Sequence, residues 1–170
     1  MSVLTHFPKS RLSESFGRFG GLTREEAVEA ATRELEVMRP ESDKAIISAI
    51  TQMEATVTGA TNCDDTLMSQ LLPHCDQLVT LAGTFGYASL DKAARSLCDL
   101  LDGLLNQGKD DLASIRVHVR TIQMFAPGTR LPTEEHIELM LLELHKLLDF
   151  HGIVPPSYES SGKDAFVTGM

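Results

Sequence analysis

Hydrophobic side chains recur every three or four residues over most of the chain from residue 23 to residue 151, which is the spacing of helices. Prolines and turn residues divide this pattern into six predicted helices. These are expected at about residues 23–39, 41–57, 62–86, 89–106, 110–125 and 133–151. The connections are short, so neighbouring helices are expected to be antiparallel. The predicted fold class is therefore all-α, an antiparallel four-helix bundle with additional N- and C-terminal helices.

Local signals give the expected helix ends. N-caps are predicted at four polar residues, Thr23, Asn62, Ser89 and Thr133. Glu26 follows the first of these by three residues, which is the pattern of a capping box. Pro40 disfavours helical geometry in the residue before it, so the first helix is expected to stop near Arg39. Pro73 lies well inside the third helix and is expected to kink it or to split off its first turns.

The pattern also sets the expected domain boundaries. Residues 1–21 are polar and rich in serine and glycine, which favours a flexible N-terminal arm. Its Phe7, Phe16 and Phe19 are expected to pack over the bundle, and the alternative is a short docking peptide. Residues 22–154 are predicted to form a single helical bundle domain, and residues 155–170 a disordered C-terminal tail.

Composition narrows the class of protein. The 170 residues are 42% hydrophobic, enough for one sizeable core, and the net charge of −9 argues against a nucleic-acid partner. No apolar run has the length of a membrane span, and no secretory signal is visible at the N-terminus. Cys63, Cys75 and Cys98 are odd in number and widely spaced, which is typical of reduced thiols. A cytoplasmic protein without a membrane partner is therefore expected.

The segment from Asp76 to Leu97 resembles the centre of a histidine phosphotransfer (HPt) domain, the four-helix module that carries phosphate between histidine and aspartate. That family's motif runs His, two residues, Lys-Gly, a small residue and Ala, with a Gly ten positions after the His. Its scaffold positions are matched here by Leu78, Ala82, Gly86 and the Ser-Leu pair that follows. The resemblance covers about residues 41–125 and is specific over about thirty residues. It implies an HPt-type bundle for this part of the chain.

The residues that carry the family's chemistry are replaced. Asp76 stands where the phosphorylated His belongs, Val79 where the Lys belongs and Thr80 where the first Gly belongs. The resemblance therefore implies a non-catalytic adaptor, with no enzyme activity and no cofactor, that binds a receiver domain or a histidine kinase in two-component or chemotaxis-type signalling. The expected partner-binding residues share one helix and its C-terminal end: Asp76, Val79, Thr80, Gly83, Thr84 and Tyr87.

Two alternatives remain open from the sequence. The first is an active phosphotransfer protein that uses another histidine, with His74 and His118 as the candidate phosphoacceptors. The second is a structural bundle that dimerises through helix 133–151, whose apolar positions exceed what one neighbour needs. His136, His145 and His151 lie nine and six residues apart, which does not place them on one helix face as a metal pair, so no metal is expected.

Overall fold

The computed structural model describes residues 22–154, and these residues are helical with no strand among them. The helices are α1 (Arg24–Gly59), α2 (Asp65–Phe85), α3 (Ala88–Gln107), α4 (Leu112–Met124) and α5 (Glu134–Phe150). The all-α class is thus confirmed, with five helices in place of the six predicted for this part of the chain. The predicted arm, with its three phenylalanines, and the predicted tail lie outside the described residues.

The first helix begins where the sequence indicates. The Thr23 amide donates to Glu26 Oε2 at 2.7 Å, and the Glu26 amide donates to Thr23 Oγ1 at 3.2 Å. This is the reciprocal bonding of a capping box. The hydrogen bonds from Thr23 also hold the pKa of the Glu26 carboxyl below its usual value. The predicted cap is therefore confirmed.

The predicted stop near Arg39 is wrong, because α1 continues through Pro40 as one helix of 36 residues. Pro40 is exposed, so the carbonyl group that would have bonded to its missing amide can bond to water. Sequence rules place a boundary before proline, but an exposed position lowers the cost of continuing the helix.

Backbone contacts divide the chain into two units, Met1–Met38 and Arg39–Met170. Between residues 22 and 38 every side chain is exposed except that of the half-buried Ala30. In the second unit, one face of α1 is buried: Ser42, Ile46, Ala49, Ile50, Met53 and Val57. Apolar spacing also predicts Ile47 on this inner face, but its side chain is 46% exposed.

The second helix has a different cap from the predicted one. Asp64 caps α2, since its side chain accepts the Leu67 amide at 2.8 Å, whereas Asn62 lies two residues before it. Pro73 does not split the helix, which is continuous to Phe85. Gly86 ends it with a φ of +79°, a conformation that glycine adopts at little cost.

The later helices are close to the predicted ranges. Ser89 is not the cap of α3, which begins one residue earlier at Ala88. Asp111 caps α4 by accepting the Ser114 amide at 3.0 Å. Thr133 is the N-cap residue of α5 as predicted, but its hydroxyl lies 2.5 Å from His136 Nδ1 and makes no capping bond to the backbone.

The core lies among the inner faces of the helices. Helix α2 packs against α3, and α3 also contacts α4 and α5. The largest fully buried side chains are aliphatic: Ile46, Met53, Leu71, Leu78, Leu90, Leu97, Leu100, Leu101, Leu104, Ile115, Ile122 and Leu144. Burying one such side chain contributes about 2 kcal/mol. No helix in the described part of the chain is long and apolar enough to cross a membrane.

Candidate functional site

Five of the six residues predicted to bind a partner share one side of α2. Asp76, Thr80, Gly83 and Thr84 are exposed, and Val79 is half-buried beside them. Their separations of three and four residues place them on neighbouring turns of one helix face. We refer to these five residues as the α2 face. The apolar spacing of α2 predicts that Leu78, Leu81, Ala82 and Phe85 point inward. Leu78, Ala82 and Phe85 are buried as predicted, and Leu81 is half-buried.

The two threonines on the α2 face use their hydroxyl hydrogens within the helix. Thr80 Oγ1 donates to the Asp76 carbonyl, and Thr84 Oγ1 donates to the Thr80 carbonyl, each at 2.8 Å. With these donors satisfied, the threonines need no hydrogen-bond acceptor from a partner. The only formal charge on the face is that of Asp76. The α2 face is therefore a weakly polar surface with one carboxylate near its N-terminal end.

Gly83 leaves the middle of this face open. A methyl group placed on its α-carbon would have one neighbour within 4 Å, Asp91 Oδ1 at 3.8 Å. The structure itself therefore gives no packing reason for glycine here, although glycine costs about 1 kcal/mol relative to alanine inside a helix. A position that accepts this cost without a packing reason is suited to close approach by another backbone.

Tyr87 lies at the C-terminal end of the face, where α1 fixes it. Its hydroxyl donates to Asp43 Oδ1 at 2.6 Å. Burial raises the pKa of the Tyr87 hydroxyl, and the bond to Asp43 raises it further. Arg39 donates to the Phe85 carbonyl at 3.0 Å, and its guanidinium carbon lies 5.6 Å from the Phe85 ring centre and 5.9 Å from that of Tyr87.

Sequence reasoning missed Arg39 and Asp43 as supports of this site. They lie more than 40 residues from their partners along the chain. No local signal marks such pairs, because periodicity and caps report only on neighbours in sequence. A partly buried tyrosine usually has a hydrogen-bond partner for its hydroxyl, but the sequence alone does not say which residue that is.

The two alternative phosphoacceptors occupy different environments. His74 is half-buried beside Pro73 on α2. His118 is fully buried on α4, with Nδ1 2.9 Å from the Ser114 carbonyl and Nε2 3.0 Å from Ser96 Oγ. A carbonyl only accepts, so Nδ1 carries the proton and Nε2 accepts from the Ser96 hydroxyl. Burial lowers the pKa of His118 to about 4, which keeps the ring neutral. This geometry favours a structural role for His118.

Ser114, Asp111 and His151 form a polar cluster where α4 begins and α5 ends. Asp111 Oδ2 accepts from the Ser114 hydroxyl at 2.6 Å and lies 2.8 Å from His151 Nε2. Partial burial raises the pKa of Asp111, but the hydrogen bonds from Ser114 and His151 outweigh it, and the pKa lies below its usual value.

This cluster does not have the geometry of a Ser-His-Asp triad. In a triad the histidine uses one ring nitrogen for the serine and the other for the aspartate. Here Asp111 and Ser114 both face Nε2 of His151, and the Ser114 hydroxyl lies 3.5 Å from it while donating to Asp111. The cluster therefore serves to cap α4 and to attach the end of α5.

No group of three or more metal-ligating side chains occurs among residues 22–154. Comparison of the chain with family models, with curated proteins and with solved structures finds no match. The α2 face is the candidate site because the predicted partner-binding residues on it lie together, four of them exposed.

Proposed function

We propose that this protein is a non-catalytic, HPt-like adaptor that binds a receiver domain through the α2 face and Tyr87. The single observation that carries the proposal is the common exposure of Asp76, Thr80, Gly83 and Thr84 on one helix side. By the HPt resemblance, Asp76 stands at the position of the phosphoryl-carrying residue and the other three lie around it. The proposed partner is the receiver domain of a response regulator, held near or away from its kinase in two-component or chemotaxis-type signalling.

The composition of the face supports docking rather than phosphotransfer. Satisfied threonine hydroxyls and an open glycine present methyl groups and backbone to a partner, which lowers the cost of removing water from this surface. Asp76 supplies a negative charge where the family carries phosphohistidine. That charge is smaller than the charge of a phosphoryl group, so Asp76 would imitate only part of it.

Tyr87 extends the proposed interface beyond α2. Its attachment to Asp43 fixes the ring before a partner arrives, so binding would not have to immobilise it. Fixed aromatic side chains are also common among the residues that contribute most to protein–protein affinity. In this proposal α1 supports the site without contacting the partner.

Binding to a panel of receiver domains, measured by calorimetry with and without their phosphorylation, tests the proposal. We expect at least one receiver to bind and Thr80→Arg to weaken that binding at least about tenfold, because it places a long cation at the centre of a buried interface. Thr66→Arg is the matched control, since Thr66 is also an exposed threonine of α2 and lies fourteen residues from Thr80, about 21 Å along the helix. The control should bind as the unaltered chain does.

Phosphate transfer is measured in the same mixtures. The adaptor proposal requires binding without a phosphoryl group appearing on this chain. Acid-labile label that disappears in His74→Ala would instead assign the active phosphotransfer alternative. Absence of binding across the panel, or equal weakening by Thr66→Arg, would contradict the docking face itself.

The proposed dimerisation through α5 has less support. Leu144 and Leu148 are buried within the chain, whereas Leu139 and Leu142 are about half exposed. The ion pair of Glu143 and Lys146, 2.7 Å apart, also lies on α5. Measurement of the mass in solution distinguishes this alternative, because the adaptor proposal does not need a second copy.

A further inference from the structure

A cleft of about 220 Å³ lies between the C-terminal part of α1 and α4. Glu54 and Val57 line it from α1, and Arg116, Val119 and Arg120 line it from α4. None of its lining residues belongs to α2, so it is separate from the face to which the proposed function refers. Its volume suits a small molecule rather than a peptide or a large cofactor.

One side of the cleft is basic. Arg116 Nη2 donates to the Ala60 carbonyl at 2.9 Å and to the Val57 carbonyl at 3.4 Å. These bonds hold the guanidinium at the C-terminal end of α1 and leave its other nitrogens for a ligand. Arg120 follows one turn later and makes no hydrogen bond or ion pair with the described residues. Like charges at this spacing repel each other, and a bound anion would relieve that repulsion.

The α1 side of the cleft carries one acidic residue, and apart from the two arginines the rest of the lining consists of two buried valines and the polar Thr58 and Gln123. Glu54 is exposed on α1 and forms no ion pair with either arginine in the described structure. Val57 and Val119 are 3% and 2% exposed and therefore offer only a small hydrocarbon surface between the charged groups. A simple anion such as phosphate would satisfy the arginines but would approach Glu54 unfavourably.

We propose that this cleft binds a small zwitterion of the amino-acid class. Arginine recognises a carboxylate through paired N–H groups, so Arg116 and Arg120 would bind the ligand carboxylate. Glu54 would accept from the ligand ammonium group. This arrangement uses both charged sides of the cleft, which neither a plain anion nor a plain cation does. The inference does not depend on the receiver-binding proposal.

Calorimetry or ligand-observed NMR on the full chain tests the proposal with alanine, valine, leucine and phenylalanine as probes. Two analogues of leucine separate the contributions of its charges: leucinamide lacks the carboxylate, and the deaminated acid of the same carbon skeleton lacks the ammonium group. We expect at least one amino acid to bind with a Kd below roughly 10 mM. Where leucine binds, leucinamide and the deaminated acid should each bind at least about tenfold more weakly than leucine.

Two variants assign the binding to this cleft. Arg120→Gln should raise the Kd of the amino acid at least about tenfold. Glu54→Gln should do the same for the amino acid but should lower or leave unchanged the Kd of the deaminated acid, because it removes a negative charge that opposes an anion. Arg120 is preferred to Arg116 because it holds no helix end. Arg130→Gln and Glu138→Gln are matched controls at exposed positions outside the cleft and should not change binding.

Three results would overturn the inference. The first is that none of the four amino acids binds to a folded chain. The second is that inorganic phosphate binds and depends on Arg120 whereas the amino acids do not, which would make the cleft a simple anion site. The third is amino-acid binding that survives both cleft substitutions, which would place the ligand elsewhere on the molecule.

Discussion

Gly103 on α3 is in direct contact with a residue that follows α5. A methyl group on its α-carbon would overlap Cδ1 and Cγ1 of Ile153, so the helix backbone itself forms part of the surface against which Ile153 packs. Ile153 is 8% exposed and belongs to the core. The amide of Ile153 donates to the Leu148 carbonyl at 2.9 Å, which fixes the chain at this point. The Ile153 backbone therefore cannot move away without losing this hydrogen bond to the last turn of α5.

Gly103→Ala is expected to lower the free energy of unfolding by about 1–2 kcal/mol. Overpacking a core costs about 1–3 kcal/mol, and the gain in helix propensity returns up to about 1 kcal/mol. Denaturant unfolding monitored by circular dichroism measures the change. Gly83→Ala is the matched control, since the same substitution in the last turn of α2 meets only an ordinary contact, Asp91 Oδ1 at 3.8 Å, and should stabilise the chain by about 0.5–1 kcal/mol.

The origin of the Gly103 effect can be checked with the partner residue. Ile153→Ala removes the overlapping atoms, so the double variant should be less destabilised than the sum of the two single variants. If the losses of unfolding free energy in the two single variants add up to the loss in the double variant, Gly103→Ala does not act through overlap with Ile153. The sequence did not predict this contact, because a glycine within a helical pattern does not indicate which distant residue packs against it.

At the scale of the helix, α1 shows both the use and the limit of local rules. The Thr23–Glu26 cap is a property of four consecutive residues, and it was predicted correctly. The boundary at Pro40 was not correct, because the cost of an interior proline depends on what surrounds the helix. Asn62 and Ser89 were assigned as caps for similar reasons, yet Asp64 and Tyr87 occupy those positions. A polar residue near a helix start is a competent cap, and tertiary packing selects which one is used.

Pro40→Ala tests how much stability α1 loses at this position. The substitution restores an amide donor and removes the ring from the helix interior, which we expect to raise the free energy of unfolding by about 1–2 kcal/mol. The full helical cost of proline is about 3 kcal/mol, and the greater freedom of alanine in the unfolded chain offsets part of the gain.

Thermal and denaturant unfolding measure the effect of Pro40→Ala, with Glu41→Ala as the control. Glu41 is the neighbouring exposed residue of the same helix, and its substitution should change stability by less than about 0.5 kcal/mol. A destabilised Pro40→Ala variant would mean that the packing of the helix requires proline at this position.

For the whole molecule, the sequence predicted the helical class and most of the core, because apolar spacing along each helix reports directly on which side is buried. Leu78, Ala82 and Phe85 on α2 were all placed inward correctly. The candidate site was predictable only as an exposed face of α2. Its support by Arg39 and Asp43, the buried bonds of His118 and the cleft beside Arg116 all depend on contacts between residues distant in sequence.

Buried His118 gives the molecule an expected acid sensitivity. Its pKa is about 4 in the folded chain because of burial, and about 6.5 when unfolded. Between these values the unfolded state binds a proton that the folded state does not, so stability is complete above pH 6.5 and falls as the pH is lowered towards 4. Between pH 7 and pH 5 the loss should be about 2 kcal/mol. Asp111, with its lowered pKa, loses its contribution only at lower pH, through its folded pKa below 3.8.

Unfolding free energies measured at several pH values in His118→Gln separate this contribution from the rest. Glutamine keeps one donor for the Ser114 carbonyl and one acceptor for Ser96 but does not titrate, so the loss between pH 7 and pH 5 should shrink by about 2 kcal/mol. His145→Gln, at an exposed position of α5, is the control and should retain the full loss. If both variants keep the pH dependence of the unaltered chain, another group causes the loss of unfolding free energy between pH 7 and pH 5. His118 then either gains its proton in the folded state or is reached by water. Either outcome would reopen His118 as a candidate phosphoacceptor, because a ring that exchanges protons with solvent is also one that a partner can reach.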